Sequence, residues 1–578
     1  VCAPRHDQPL YQGVPGPRLM ACLDGHAGRG PFPAILYVNG HGGAGERSGG
    51  KAFYQRHAVW FASHGYVCLH IDTLLHGEIP DGVHQGLRRL GRSWWISRGY
   101  SPCAVECLNG LRGVDVLHGR PEVDRTRIGV TGRSGGAGYS LNVSALDERV
   151  AAVVAVSGGG VFDIEYLARG IHTGCDCTIW YNTYQWPRVG EIAALIAPRP
   201  LKILYEGLHG KVGDVSARVR ERLQKLYGLY GKDVLQRNLT VEVLEGGHES
   251  TTPLRAGART WFNQHLDHSC DVTDEFAEDT PPHTLRVFPE DGDLPANSIN
   301  HEIDRRLVPE ADLSLPAPDD FATWRAMLID KLRKGPLAAL PVTVEESSMP
   351  EGRDCGFLVT ESLLGASWRM LHADETAGRR WLVLLDADDP ADRLPSWAEA
   401  ATGREPAALV GVRGTGAGAF PPNGDLAENH IDRALLLNGR TLDLGRAYDV
   451  MCMARAYRKR FPQADIALAG RGRIGMVGAY AALFAPEIGS VTLIDPPSSH
   501  ASGDGPRFPG VLRVLDVPAA LGLLAPRPLR LVSTTPGTFD TTAEIYKRAG
   551  ATPMLRMEHG ISKHVVDRCV DFAEFVET

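Results

Sequence analysis

One pentapeptide constrains this 578-residue chain more than any other feature. Gly132-Arg133-Ser134-Gly135-Gly136 follows Arg127-Ile-Gly-Val-Thr131, a short β-like run, and precedes an Ala/Gly/Leu-rich stretch. G-x-S-x-G between a strand and a helix lets the backbone turn sharply and lifts the serine oxygen to the top of a sheet. Small residues on both sides are needed because neighbouring backbone passes close to such a turn.

Two further segments fall in a matching order. Ala34-Ile-Leu-Tyr-Val38 reads as a buried strand running into Asn39-Gly40-His41-Gly42-Gly43. A His-Gly-Gly turn after an early strand is a source of backbone N–H groups for an oxyanion, so Gly42 and Gly43 join Gly135 as candidate donors. Leu239-Thr-Val-Glu-Val-Leu244 is a late strand-like run followed by Glu245-Gly246-Gly247-His248. Oxyanion turn, then Ser134, then His248 is the α/β-hydrolase order, and not the order of chymotrypsin or subtilisin. Ser134 is the candidate nucleophile and His248 the candidate base.

The rest of the first half supports that fold. Val67-Cys-Leu-His-Ile71, Ala151-Ala-Val-Val-Ala-Val156 and Pro200-Leu-Lys-Ile-Leu-Tyr205 read as short buried strands. Pro102 to Arg120 reads as a helix with Ala104, Cys107, Leu108, Leu111 and Val114 on one face, and Leu254 to Leu266 as the closing helix. Short apolar runs alternating with helices predict a mostly parallel sheet covered on both faces.

Length predicts two domains. Composition shifts between Cys270 and Pro282 to an acidic, aperiodic stretch. The expected division is a catalytic domain over 1–269, a linker over 270–282 and a second domain over 283–578. That second part carries a helical pattern from Asp319 to Arg333 and a new α/β series from Trp381-Leu-Val-Leu-Leu385.

The halves echo each other. Leu195-Ile-Ala-Pro-Arg-Pro-Leu201 recurs as Leu523-Leu-Ala-Pro-Arg-Pro-Leu529, and Ile128-Gly-Val-Thr-Gly-Arg-Ser134 has a counterpart in Ile466-Ala-Leu-Ala-Gly-Arg-Gly472. The turn glycine precedes the Ala-Pro-Arg-Pro segment by similar distances, 197 − 132 = 65 and 525 − 470 = 55. This predicts a tandem duplication. The second copy has glycine where the nucleophile would stand and Leu384-Leu-Asp-Ala-Asp-Asp389 in place of a His-Gly-Gly turn, so it is expected to be catalytically degenerate. His559 and His564 are the candidates for a vestigial late-loop histidine.

A formal net charge of −8 speaks against nucleic acid and anionic membranes as partners. Eleven cysteines in so long a chain are not a disulfide framework. His172-Thr-Gly-Cys175-Asp-Cys177 has a metal-like look, but so few ligands so close do not complete a tetrahedral site; a structural turn is expected there, and no metal. Nor is there an HExxH, P-loop or dinucleotide fingerprint. The chain opens at Val1 without a methionine, as after removal of a signal peptide or a trimming of the chain, two origins that the sequence does not separate; a secreted or periplasmic protein is the expectation.

The first half resembles the acetylxylan-esterase-like α/β-hydrolases of bacterial carbohydrate-degrading systems. The resemblance rests on Val38-Asn-Gly-His41, Asp72 with Leu75-His-Gly77, Pro121-Glu-Val-Asp124 through Gly138, Cys175-Asp-Cys177 and Ala194-Leu-Ile-Ala-Pro-Arg-Pro-Leu201. It covers most of 30–266, and the remainder resembles the non-catalytic repeat of tandem members. It implies serine ester hydrolysis of acyl groups, acetyl first, on a carbohydrate, with neither metal nor organic cofactor. A serine peptidase, a dienelactone-hydrolase-like enzyme, a glucuronoyl or uronate-methyl esterase, and a non-catalytic carbohydrate-binding protein are the alternatives.

The chain departs from that family at the acid. The expected aspartate falls between Leu208 and Lys211 in Tyr205-Glu206-Gly-Leu-His-Gly-Lys-Val-Gly-Asp214. Glu206, at the strand end, ranks first for the carboxylate that orients His248. Asp214 is second, with helix N-capping as its competing role, and Asp163 third. Arg133 beside the nucleophile either greets a carboxylated substrate or braces the second domain. Trp94 and Trp95 offer a sugar-stacking wall or an apolar lid. The second domain is expected to dock on the first.

Overall fold

The computed structural model describes residues 18–21, 30–42, 49–73, 77–78, 86–157, 176, 189–207, 211–248, 250–274, 279, 281–288, 290, 293, 299, 302–341, 349–350, 352–361, 364–371, 378–403, 405–421, 428–436 and 439–560. Two compact units emerge. One comprises residues 1–90 and 101–306, the other 91–100 and 307–578.

The first unit is built on seven strands: β1 (Arg18–Ala21), β2 (Phe32–Val38), β3 (Val67–Ile71), β4 (Val123–Arg133), β5 (Val150–Val156), β6 (Leu201–Glu206) and β7 (Leu239–Leu244). Their order is β1-β3-β2-β4-β5-β6-β7. Only β1 runs antiparallel to its neighbour; the other pairs are parallel. Successive side chains alternate between two cores. Ala34, Leu36 and Val38 pack with Leu69, Ile71, Val153 and Ala155 on one face, while Ile35 and Tyr37 pack with Cys68, Val154 and Val156 on the other. Both faces are covered, so the strands read as continuous apolar runs. This is the α/β-hydrolase fold.

The helix Pro102–Gly119 lies where the sequence predicts, and of the expected face Cys107 and Val114 are buried and Leu111 is packed against the core. Ala104 and Leu108 point outward, and the inward stripe is Cys103, Cys107, Gly110, Val114 and Leu117. The glycines set the phase. A Cβ on Gly110 would lie 2.3 Å from Val143, and one on Gly113 would lie 2.9 Å from Leu36. The helix therefore approaches its neighbours where side chains are missing, a face that a count of large apolar residues overlooks.

The acidic stretch after Cys270 is no free linker where it is described. Trp60 donates its indole N–H to the Thr273 carbonyl at 3.0 Å, and Arg259 reaches the same oxygen at 2.9 Å. Leu285 sits in the core with Phe61 and Phe262, and the amides of Val287 and Phe288 donate to the buried Glu78 carboxylate. Residues 283–306 group with the first unit rather than with the second.

The second unit has eight strands: β8 (Cys355–Glu361), β9 (Leu364–Leu371), β10 (Arg379–Leu384), β11 (Ala407–Gly411), β12 (Asp465–Arg471), β13 (Ile488–Ile494), β14 (Leu529–Thr534) and β15 (Leu555–His559). Their order, β8-β9-β11-β10-β12-β13-β14-β15, repeats that of the first sheet with one further antiparallel strand at the edge. Residues 91–100 belong to this unit. Trp95 is fully buried, the Ile96 carbonyl accepts from Gly510 N–H at 2.8 Å, and Ser97 donates to the Pro506 carbonyl at 3.1 Å. Buried this way, Trp95 is a packing residue and offers no face to a sugar. No helix among the described residues is long and apolar enough to cross a membrane.

Candidate active site

Ser134 links β4 to the helix Gly135–Leu146 with φ 61° and ψ −119°, a backbone region that non-glycine residues rarely adopt. Its amide donates to the Val156 carbonyl at 2.9 Å, and its own carbonyl accepts from Ala137 at 3.0 Å. The flanking glycines are steric requirements. A Cβ on Gly132 would stand 2.2 Å from the Val38 carbonyl oxygen, and one on Gly136 would stand 2.3 Å from that same atom. The elbow is strained, and the end of β2 wedges it in place.

His248 and Glu206 meet it from the ends of neighbouring strands at the same edge of the sheet. β6 and β7 pair in parallel with Glu206 opposite Leu244, so both chain ends emerge on one edge. His248 Nε2 lies 2.9 Å from Ser134 Oγ, and His248 Nδ1 hydrogen-bonds Glu206 Oε1. Burial pushes the Glu206 carboxyl up. The hydrogen bond with His248, and the charges of His248 and Arg133, outweigh it and hold the group below the usual glutamate value. The sequence-predicted Ser134, His248 and Glu206 thus form one hydrogen-bonded chain.

The turn after β2 flanks the same serine. A Cβ on Gly40 would lie 3.1 Å from Ser134 Cβ, and the imidazole of His41 packs over Gly135. Gly42 faces the ring of Phe53. Gly43, Asp163, His172, Cys175, Cys177 and His564 lie outside the described residues. Asp214 falls inside the helix Lys211–Gly228 rather than at its N-cap; the helix begins four residues earlier than the start at Val215 that an N-cap at Asp214 implies. Between the two cysteines, Asp176 is buried and accepts the Leu87 amide at 2.9 Å.

Arg133 turns inward. It is 5% exposed and lines a small cavity with Tyr37, His57, Ser250, Arg255 and Arg259. Burial and the charges of Arg259, Arg255 and Arg133 drive the His57 imidazole down to about 3, so it is neutral at ordinary pH. Of these cavity residues the sequence singles out Arg133 alone. The others come from β2, a helix after it and the segment after His248, and no motif joins them.

The second unit places Gly472 at the equivalent turn, with φ 52°. A Cβ there would meet nothing within 4 Å. Charge pairs surround this turn: Arg471 reaches Asp388 at 3.0 Å, and Arg473 pairs with Glu428. Thr534 ends β14 as Glu206 ends β6, and it contacts His559 Nδ1 through its hydroxyl at 2.9 Å. His564 stands at the offset of His248 from its strand, 564 − 555 = 9 against 248 − 239 = 9.

Comparison with known proteins finds a family match in the first part of the chain. Residues 9–158 match the model of the acetyl xylan esterase family (AXE1). That span includes the β2 turn and Ser134 and stops short of Glu206 and His248. No curated protein matches the chain. Among solved structures, Methylesterase BT1017 is 25% identical, over 50% of this chain and 61% of its own length, with a TM-score of 0.40. The glucuronoyl esterase catalytic domain from Hypocrea jecorina is 18% identical over 46% of this chain and 73% of its own, with a TM-score of 0.32. A glucuronoyl esterase from Solibacter usitatus is 14% identical over 43% and 77%, with a TM-score of 0.30. The match spans under two thirds of the methylesterase's length.

Proposed function

We propose that the first unit is a serine carboxylic-ester hydrolase that removes acyl groups, acetyl in the first place, from a carbohydrate. The observation that carries this reading is the Ser134–His248–Glu206 chain, with 2.9 Å between Oγ and Nε2, standing on an elbow inside the segment that matches the acetyl xylan esterase family.

Ser134 Oγ attacks the ester carbonyl carbon while His248 Nε2 takes its proton. Glu206 accepts from Nδ1–H, fixes the tautomer and balances the imidazolium charge. The carbonyl oxygen, now an anion, takes hydrogen bonds from the backbone N–H of Gly135 and from the turn holding Gly42 and Gly43. The C–O bond to the sugar breaks, and His248 returns the proton to the departing alkoxide. Water then repeats the sequence on the acyl-enzyme: His248 removes its proton as the oxygen adds to the carbonyl, the bond to Ser134 Oγ breaks as His248 returns that proton to Oγ, and the acid is released. No step calls for a metal or an organic cofactor.

The second unit repeats the strand order and carries Gly472 at the turn, so we assign it as a degenerate copy with no nucleophile. A fluorophosphonate should label the full chain once, at Ser134, and acetate release from acetylated xylan should vanish in labelled protein. Labelling elsewhere, or activity surviving it, overturns the assignment.

A further inference from the structure

Ser157 follows β5 with φ 55°, in the left-handed region that glycine fills without strain. Its amide donates at 2.8 Å to the carbonyl of Leu204, two residues before Glu206 on the neighbouring strand. The second unit repeats this turn. Asp495 follows β13 with φ 47°, and its amide donates at 3.1 Å to the carbonyl of Val532, two residues before Thr534. The fold thus requires a left-handed residue at this strand end, yet neither unit uses glycine there. Both carry a polar side chain. In the first unit it is 4% exposed, and Ser157 Oγ has no hydrogen-bond partner among the described residues. The same holds for Glu206 Oε2, whereas Glu206 Oε1 is engaged by His248 Nδ1. A buried donor and a buried acceptor therefore stand unpaired at the ends of adjacent strands, and each is costly while it stays so.

We propose that Ser157 is a positioning residue for the reaction assigned to Ser134, the reading on which this inference rests: its hydroxyl donates to Glu206 Oε2 as the transition state forms. In the resting site that contact is open, and bonds between catalytic groups often tighten only in the reacting complex. The hydroxyl is nonetheless one of the groups that lower the Glu206 carboxyl, which places it beside the carboxylate. A carboxylate held at one oxygen alone is free to rotate about its Cγ–Cδ bond. A second donor, at Oε2, fixes the plane and keeps Oε1 on Nδ1 while His248 becomes the imidazolium. Donation to an ionised acceptor is the stronger class of hydrogen bond. Ser157 acts through Glu206, and a glycine in its place would satisfy the backbone and lose this bond.

The test uses the full chain and an aryl acetate. Ser157→Gly suits the left-handed backbone, so the thermal midpoint should not fall, while kcat should drop about 10- to 50-fold with KM nearly constant. Ser157→Asn tolerates the same backbone and brings an amide donor, so it should recover most of that loss. In a Glu206→Ala background Ser157→Gly should change kcat no further, because the carboxylate it positions is gone. Unchanged kcat in Ser157→Gly, an equal loss with and without Glu206, or no recovery in Ser157→Asn overturns the proposal. The His248 Nδ1–H proton reads the same contact without turnover: its downfield NMR resonance should exchange with water faster in Ser157→Gly than in the parent. A parent that hydrolyses no ester yet shows this difference unseats the assigned reaction and keeps the contact. An active parent whose kcat and exchange both ignore Ser157→Gly keeps the reaction and overturns the contact.

Discussion

His248 Nε2 stands 2.9 Å from the hydroxyl of Ser134 across 114 residues of sequence. The contact exists because β4 and β7 lie in one parallel sheet with β5 and β6 between them, so that turns following each strand open on the same edge. Ser134→Ala removes the nucleophile from a site whose backbone is held by neighbouring carbonyls, so the fold should persist. Loss of a triad member lowers kcat by on the order of 10⁴ to 10⁶. Ester hydrolysis at the unsubstituted rate in this variant would refute the assignment; unchanged thermal unfolding would show that the loss is chemical.

Glu206→Gln tests the acid. The amide keeps the shape but presents no charge to the imidazolium, and it is free to favour the wrong tautomer. We expect kcat to fall by about 10²- to 10⁴-fold with KM nearly constant. Asp214→Asn, on the helix Lys211–Gly228, should change kcat less than about threefold. The Glu206 carboxyl is held below its ordinary 4.5. A depressed value stabilises the fold above the ordinary one, and that contribution disappears as pH falls through the folded-state value. The Gln variant should therefore differ from the parent in stability at pH 6 and converge with it in acid. A difference that grows on acidification contradicts the pairing.

Gly136 and Gly135 should respond differently to the same substitution. A Cβ on Gly136 meets backbone, the Val38 carbonyl oxygen at 2.3 Å and the Asn39 carbonyl carbon at 2.9 Å, and the strand end cannot withdraw. Gly136→Ala should cost about 2–4 kcal/mol and misplace the serine. A Cβ on Gly135 meets first the His41 imidazole, a side-chain end rather than backbone. Gly135→Ala should retain the stability while lowering kcat through the displaced ring. Denaturant unfolding and kcat on an aryl acetate distinguish the two.

The elbow was legible because the strand–turn–helix context demands small residues at fixed positions, and close backbone approach at Gly132 and Gly136 is what those residues permit. Glu206 was legible as the last residue of a strand. The inward face of Pro102–Gly119 was legible only in part: Cys107, Leu111 and Val114 lie on it, but Gly110 and Gly113 shift its centre by leaving room, and a periodicity of bulky residues misses them. Nor did composition reveal where the acidic stretch goes: Asp274 reads as solvated linker, yet Arg255 and Arg259 claim it. Residues 91–100 illustrate the same limit. Their sequence position suggests the first unit, whereas Ile96 and Ser97 hydrogen-bond Gly510 and Pro506 in the second. Contacts between segments hundreds of residues apart leave no local pattern.

Trp95→Ala should loosen the segment that makes those long-range hydrogen bonds. The ring is fully buried and meets Tyr100 edge-on with centroids 4.8 Å apart. Truncating a buried tryptophan costs about 3–5 kcal/mol through lost burial and the cavity left behind. We expect early unfolding of the second unit, read by hydrogen exchange in the helix Gly472–Phe484, with exchange in β5 little changed. Loss of protection confined to β5 would place the segment in the first unit instead.

Glu428 offers the sharpest acid test of the second unit. Its carboxylate lies 3.1 Å from Arg446 and 3.6 Å from Arg507 and pairs also with Arg473. Burial raises this carboxyl, but the charges of Arg473, Arg446 and Arg507 win and bring it to about 2 from an ordinary 4.5. The sign follows from linkage. A group whose folded-state value is depressed contributes stability that is complete above 4.5 and is lost as pH drops from there toward 2. The separation corresponds to about 3 kcal/mol. Glu428→Gln should therefore destabilise by at least that much at neutral pH, since it also strands buried guanidiniums. The gap between parent and variant should then narrow across pH 4.5 to 2.5 in urea titrations. A gap that stays constant over that interval would mean that Glu428 is not the carboxylate whose ionisation holds Arg446 and Arg473 in place.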